Sequence, residues 1–170
     1  GILEGDVADA ARERKVWSDG GSLVRLANGS WRIYLNGFGT TLSLLESDSL
    51  EGPWRLRLDG DGDVAELLPD FPREQRCKGC FPIVLRAGNG DWHAWISDTW
   101  PPQGIFHYHS VDGLDWEPYG DQPEITRVGM GAVGMKCLRP ALSADGKRIL
   151  GLLSLWELDD DAQPAWRLYR

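Results

Sequence analysis

The chain has 170 residues, of which 42% are hydrophobic, and its 26 acidic residues outnumber its 18 basic ones to give a net charge of −8. Nine Trp residues exclude a disordered chain, and the lack of an apolar run near 20 residues excludes a membrane-spanning helix. An acidic chain without a basic stripe is not expected to bind nucleic acid, because phosphate contacts drive that binding. Three cysteines and no visible signal peptide weakly favour a cytoplasmic location.

The first repeat unit covers residues 20–60 and follows an N-terminal segment, residues 1–19. Asn28-Gly29 lies between two runs rich in β-branched and aromatic residues, which predicts a β-hairpin with a two-residue type I′ turn. A run at 41–45 and another that begins at Trp54 predict a third and a fourth strand. The unit is therefore predicted to be a four-stranded antiparallel sheet.

Two further units repeat this pattern. Residues 80–120 carry it around Asn89-Gly90, and residues 137–170 carry it around Asp145-Gly146, with runs for only three strands in the third unit. Repeated four-stranded antiparallel units of about 50–60 residues are typical of propeller blades. The sequence predicts one all-β domain over residues 1–170, a β-propeller of about three four-stranded antiparallel blades, with a β-sandwich as the alternative. Tryptophans recur at equivalent positions and are expected to pack between blades: Trp31, Trp54, Trp92, Trp116 and Trp166.

Three blades fall short of the four to eight that usually close a ring. Unpaired blade edges are avoided in proteins, so we expect the ring to be completed. A second copy of the chain could close it as a homodimer, residues 12–17 could add a strand to the third unit, or the chain could be part of a longer propeller. The sequence does not separate these alternatives.

The turns that end the third strands resemble those of a known group of enzymes. Ser47–Trp54 matches an S-x-x-x-x-G-P-W turn and Ser110–Trp116 an S-x-D-G-x-x-W turn, both found in five-bladed β-propeller glycoside hydrolases of family 43 and in their invertase and levansucrase relatives. The Asp-box turn of sialidases is a looser match. The resemblance implies a propeller with three catalytic acids on its innermost strands: an Asp base or nucleophile, a second Asp that adjusts pKa values, and a Glu general acid.

Carried over to this chain, the resemblance assigns the first acid to Asp19, just before the first inner strand. The corresponding positions of the other two units hold basic residues, which would suit an anionic sugar or pair with nearby acids: Arg76, Lys78, Lys136 and Arg139. Glu74 and Asp98 are the nearest other carboxylates able to act as acid or base. Trp100, in a non-repeating loop, is a candidate for stacking on a sugar ring or for ordinary packing.

The sequence therefore predicts a carbohydrate-active protein that resembles a glycoside hydrolase. The alternative is a non-catalytic carbohydrate-binding or assembly module that kept the blades and lost the acids. No cofactor or metal is predicted, since Cys77, Cys80 and Cys137 form only one close pair where a structural zinc site usually has two. His107 and His109 share one face of a strand, which is geometrically permissible for a metal, but buried or half-buried thiols are favoured over a zinc site.

Overall fold

The computed structural model describes residues 21–37, 39–71, 81–97, 104–126, 134–158 and 163–169. All the regular secondary structure in these ranges is β-strand, in three antiparallel sheets. None of the described residues belongs to a helix that is long and apolar enough to cross a membrane. The all-β prediction is confirmed.

Blade 1 contains four strands in sequential order: β1 (Gly21–Arg25), β2 (Trp31–Gly37), β3 (Thr40–Ser47) and β4 (Arg55–Leu56). The register pairs Leu23 with Ile33 and Ile33 with Leu45, so these side chains share one face of the sheet. The fourth strand is shorter than the run at Trp54 predicts.

Blade 2 contains β5 (Ile83–Arg86), β6 (Trp92–Ser97) and β7 (Gly104–Ser110), and its fourth strand is split into two pieces. β8 (Glu117–Pro118) pairs with the end of β7, and β9 (Ile125–Thr126) pairs with its beginning. Residues 119–124 lie between the two pieces and are an interruption that the sequence does not predict.

Blade 3 has three described strands, β10 (Gly134–Leu142), β11 (Ile149–Leu158) and β12 (Pro164–Tyr169), in sequential order. Leu138 and Leu153 are paired across β10 and β11 and pack with Trp95 and Ile105 of blade 2. Arg139 and Leu152 are paired on the opposite face, away from blade 2. The segment at 12–17, proposed as an extra strand, lies outside the described residues.

The hairpin turns lie where the dipeptides predict them, but the prediction that they are two-residue type I′ turns is wrong. In blade 1 the Gly29 amide donates to the Leu26 carbonyl at 3.0 Å and the Leu26 amide donates to the Ser30 carbonyl at 2.8 Å, which makes a three-residue loop. Gly29 has φ +91°, the left-handed conformation that ends such a loop with a bulge. Blade 2 repeats these bonds around Gly90, and the loop around Gly146 in blade 3 is one residue longer.

Among the described residues, one apolar core joins blades 1 and 2, and a smaller one around Trp95 and Ile105 joins blades 2 and 3. The larger one, between blades 1 and 2, contains Tyr34, Leu42 and Leu44 of blade 1 and Ala94 and Ile96 of blade 2, all fully buried. Trp92 and Trp116 belong to this interface, as the repeat predicts. Trp31 and Trp54 instead pack on the other face of blade 1, while the Trp166 side chain is outside what the structure describes.

The Ser110–Trp116 turn clamps blade 2 onto blade 1. The Tyr34 hydroxyl donates to the Gly113 carbonyl at 2.9 Å, and Arg32 Nη1 donates to the Asp112 carbonyl at 2.7 Å. Burial raises the pKa of Tyr34 to about 12, so its hydroxyl remains a donor at neutral pH. The motif therefore carries a structural role, because it positions adjacent blades.

Candidate functional site

The innermost strands of the three blades lie side by side. β5 contacts β1 on one side and β10 on the other, and the Val84 amide of β5 donates to Ser22 Oγ of β1 at 2.8 Å. At the opposite end of the strands, the turns of blades 2 and 3 approach at Gly88 and Gly146. The three strands therefore run in one direction and begin at the same end of the molecule, which we call the axial end.

The predicted catalytic and sugar-stacking residues belong to segments that precede or follow, in the sequence, strands with an end at the axial end. Asp19 precedes β1, Glu74 precedes β5, and Asp98 and Trp100 follow β6, but all four lie outside the described residues. The structure brings their flanking strands together without placing their side chains. Their roles stay predictions.

The predicted ligand-holding cations are described only in part. Arg76 and Lys78 lie outside the described residues, and Lys136 belongs to β10 with its side chain outside what the structure describes. Arg139 is exposed and lies opposite Leu152, on the face of blade 3 that is turned away from blade 2. Grouping of these four cations around the axis stays a prediction.

At the axial end of blade 1, a carboxylate organises the backbone. Glu66 accepts hydrogen bonds from the amides of Thr41, Leu42 and Leu68 at 2.7, 3.1 and 3.0 Å. Nearby, Asn36 and Thr41 are buried, and neither Asn36 Oδ1 nor Thr41 Oγ1 has a hydrogen-bond partner among the described residues. Both oxygens therefore retain unused acceptor capacity within the described part of the blade.

A second cluster of titratable residues lies on the face of blade 2 that is turned toward blade 3. His93 Nδ1 of β6 and His107 Nε2 of β7 are 2.9 Å apart, which is a hydrogen-bond distance. His107 Nδ1 lies 3.1 Å from Glu124 Oε2, and Trp95 Nε1 donates to the same oxygen at 3.0 Å. The His107–Glu124 contact is too poorly aligned for a hydrogen bond, so it acts by charge.

Aromatic rings enclose this cluster. The His107 ring is stacked between Trp95, at 4.8 Å and 13°, and Tyr119, at 4.6 Å and 18°. His107 is only 9% exposed, whereas Tyr119 is 66% exposed and covers it from the side of the interrupted fourth strand. Alternation along the strands places His93 and Trp95, and likewise His107, on one face, but which residues of 119–124 fold over that face could not be inferred from the sequence.

Burial dominates the titration of both histidines. It lowers the pKa of His107 despite the nearby charge of Glu124, and it lowers the pKa of His93 despite the charges of Asp91 and Glu124. Both rings are therefore neutral at pH 7. Within the described ranges, no three His, Cys, Asp or Glu side chains are arranged to hold a metal ion.

Solved structures with a similar fold are glycoside hydrolases. An exo-1,5-α-L-arabinanase from a bovine ruminal metagenomic library matches with a TM-score of 0.53 and 16% identity over 88% of this chain. An α-L-arabinofuranosidase of Clostridium thermocellum matches with a TM-score of 0.55 and 13% identity over 96% of the chain. A family-43 endo-arabinanase of Bacillus licheniformis matches with a TM-score of 0.55 and 16% identity over 99%.

This chain covers only 53%, 60% and 57% of the lengths of those three proteins. No protein-family model and no curated protein matches it. At such low identity the similarity establishes the fold, and it rules out the β-sandwich alternative. The chain folds as part of a β-propeller of the kind seen in family-43 glycoside hydrolases, which confirms the resemblance first indicated by its blade turns.

Proposed function

We propose that the protein acts on or binds carbohydrate through a site at the axial end of the propeller. The observation that carries this proposal is the shared fold with arabinan-degrading glycoside hydrolases, together with three innermost strands that begin at one end. The predicted Asp19, Glu74, Asp98 and Trp100 occur in sequence segments that enter or leave strands at this end.

In this proposal, Asp19 is the base or nucleophile, and Glu74 or Asp98 is the acid that protonates the leaving oxygen. Cleavage of a glycosidic bond requires two such carboxyl groups with different pKa values. Trp100 would stack on the sugar ring.

The basic residues favour an anionic sugar as the ligand. Arg76, Lys78 and Lys136 accompany the inner strands of units that lack the expected acids, and a guanidinium group binds a carboxylate through two parallel hydrogen bonds. Arg139 is exposed on the innermost strand of blade 3 and is the fourth cation of this set. A uronic acid is the simplest sugar that meets this requirement.

The presence of basic residues where the resembled family has catalytic acids also supports a second candidate function, a non-catalytic carbohydrate-binding module. Such a module would bind the sugar through the cations and Trp100 and would not cleave it. Hydrolysis and binding must therefore be measured separately.

The first experiment compares the wild type with Asp19→Asn on aryl α-L-arabinofuranosides, β-xylosides, β-galactosides and β-glucuronides. As an enzyme, the protein should hydrolyse one of these, and Asp19→Asn should lower kcat by at least about 100-fold, because the base is lost. Asp121→Asn, a change at an exposed acid in the 119–124 segment, is the control and should retain full activity.

Calorimetric binding of neutral and uronic-acid oligosaccharides separates the two candidate functions. Binding of a uronic-acid oligosaccharide without hydrolysis, weakened at least about tenfold in Arg139→Gln and by added salt, would identify the module. Failure to bind or hydrolyse any of these sugars would contradict the proposed function.

A second copy of this chain is the partner that we propose completes the ring. Blade 3 exposes Leu150 and Leu152 by 40% and 46% on the face turned away from blade 2, and Arg139 lies among them. In blade 1, Leu23 is 51% exposed on the corresponding outward face. The outward faces of blade 1 and blade 3 therefore both present apolar side chains of the type that pack between blades elsewhere in the molecule.

A further inference from the structure

The contacts of His93 and His107 fix which nitrogen of each neutral ring carries the proton. His107 Nδ1 lies 3.1 Å from a carboxylate oxygen, so a proton on Nδ1 is favoured, because a bare nitrogen would repel that oxygen. His107 Nε2 is then an acceptor. The 2.9 Å contact therefore requires His93 Nδ1 to carry the proton that it donates to His107.

The pair can take up one proton without losing this hydrogen bond. A proton on His107 Nε2 makes that ring the donor to His93, while the proton of His93 moves to its Nε2 atom. The charged His107 ring is then attracted to Glu124, 3.1 Å from its Nδ1. The positive ring also gains attraction from the faces of Trp95 and Tyr119, which stack on either side of it.

A second proton cannot be accommodated in the same geometry. With both rings charged, His93 Nδ1 and His107 Nε2 each carry a hydrogen, and two N–H groups would point at each other across 2.9 Å. The two positive rings also repel each other inside a half-buried site. The contact must open before the second proton enters.

Within the described ranges, few other charges face the pair. Glu124 faces His107 from the interrupted fourth strand, Asp91 acts on His93 from the turn before β6, and His109 acts on both from β7. Glu117 of β8 lies 3.9 Å from His109. From the described part of blade 3, the apolar Leu138, Leu153 and Leu155 pack on Trp95 and Ile105 beside the cluster.

We propose that His93, His107 and Glu124 form an acid-sensitive latch in the outer half of blade 2, which keeps its contacts with one added proton and opens with two. The latch connects the second, third and fourth strands through side chains at the place where the fourth strand lacks pairing. Neutral pH keeps it closed and acid opens it. It does not depend on the carbohydrate function.

The direction of the effect on stability follows from the pKa values. Burial lowers the pKa of both histidines in the folded chain below the 6.5 of an exposed ring. As pH falls below 6.5, the unfolded chain therefore binds protons that the folded chain does not, and the folded state loses stability. Each such proton raises the unfolding equilibrium constant by about tenfold per pH unit.

The test begins with the wild-type chain, because it requires no substitution. Long-range proton–nitrogen NMR spectra of the ¹⁵N-labelled protein report which ring nitrogens carry protons between pH 8 and pH 5. We expect both rings to be protonated at Nδ1 at pH 8 and the pair to take up its two protons in two separate steps. Two independent titrations near pH 6.5, or protons on Nε2 of both neutral rings, would overturn the latch.

Urea unfolding at pH 8 and pH 5.5 then compares His93→Gln with His109→Gln. Gln retains a donor for His107 but removes one titrating ring, so His93→Gln should reduce the change in unfolding constant between the two pH values, by at most about tenfold. His109 lies two residues beyond His107 on β7, and its side chain is 40% exposed. His109→Gln is therefore the matched control and should leave that change as in the wild type. Equal effects of the two variants, or no effect of His93→Gln, would count against the proposal.

Discussion

Gly113 shows how a single residue determines the joint between two blades. Its φ of +75° lies in the left-handed region, and a Cβ atom at this position would lie 2.5 Å from the Tyr34 hydroxyl oxygen and 3.0 Å from the Trp92 ring. The same residue accepts the Tyr34 hydrogen bond through its carbonyl. Only glycine meets both the backbone and the packing requirement here.

Gly113→Ala separates these two requirements when it is compared with Gly29→Ala. Gly29 also has a left-handed φ, of +91°, but no atom lies within 4 Å of a Cβ built there. We expect Gly29→Ala to cost about 1 kcal/mol of unfolding free energy from the backbone alone, and Gly113→Ala to cost about 2–4 kcal/mol because overpacking is added. Urea denaturation measures both values, and equal losses would mean that the close packing at Gly113 is relieved at no cost.

At the scale of the elements, local sequence predicted where the hairpins lie. Non-local packing determined the lengths of their loops and the course of the fourth strand of blade 2. Asn-Gly and Asp-Gly between strand-like runs located all three turns. The loops exceed the two residues predicted by one in blades 1 and 2 and by two in blade 3, because loop length also depends on how the strands twist. The split fourth strand of blade 2 was not predictable, because it depends on Pro123 packing against Gly104 and on Tyr119 stacking on His107. Neither contact leaves a periodic signal in the sequence.

Gly104→Ala tests whether the packing of Pro123 holds β9 in place. A Cβ atom at Gly104 would lie 2.6 Å from Pro123 Cβ, so the paired residues Ile125 and Thr126 must shift away from β7. We expect a loss of about 1–3 kcal/mol in unfolding free energy and faster amide exchange in β9.

Gly120→Ala is the matched control for this change, since no atom lies within 4 Å of a Cβ there. It should alter the unfolding free energy by less than about 0.5 kcal/mol. Unchanged exchange in β9 of Gly104→Ala would show that Pro123 does not hold that strand.

For the whole molecule, the repeat predicted the propeller, while the functional site could be predicted only as a set of candidates. Blade turns such as Ser110–Trp116 are recognisable because each is formed within one short segment. A site at the axis is formed by residues from separate blades, so the sequence names Asp19 or Lys136 without fixing how they meet. The cluster of His93, His107 and Glu124 was missed for the same reason, since its third member comes from an interruption in the fourth strand.

Closure of the ring by a second copy predicts the mass of the protein in solution. Light scattering on a sizing column should give twice the monomer mass, because the face that carries Leu150 and Leu152 would be covered by the partner. Leu152→Glu should return the protein to a monomer, since burying an unpaired carboxylate in an apolar interface costs several kcal/mol.

Leu50→Glu provides the control, because Leu50 is 45% exposed, nearly the same as the 46% of Leu152, but lies in a turn of blade 1. This variant should remain a dimer, and the circular dichroism of both variants should match that of the wild type. A monomeric wild type, or a Leu152→Glu protein that keeps its doubled mass, would contradict closure through this face. The blades that complete the ring would then have to come from elsewhere, and the axial site would have to be tested with those blades present.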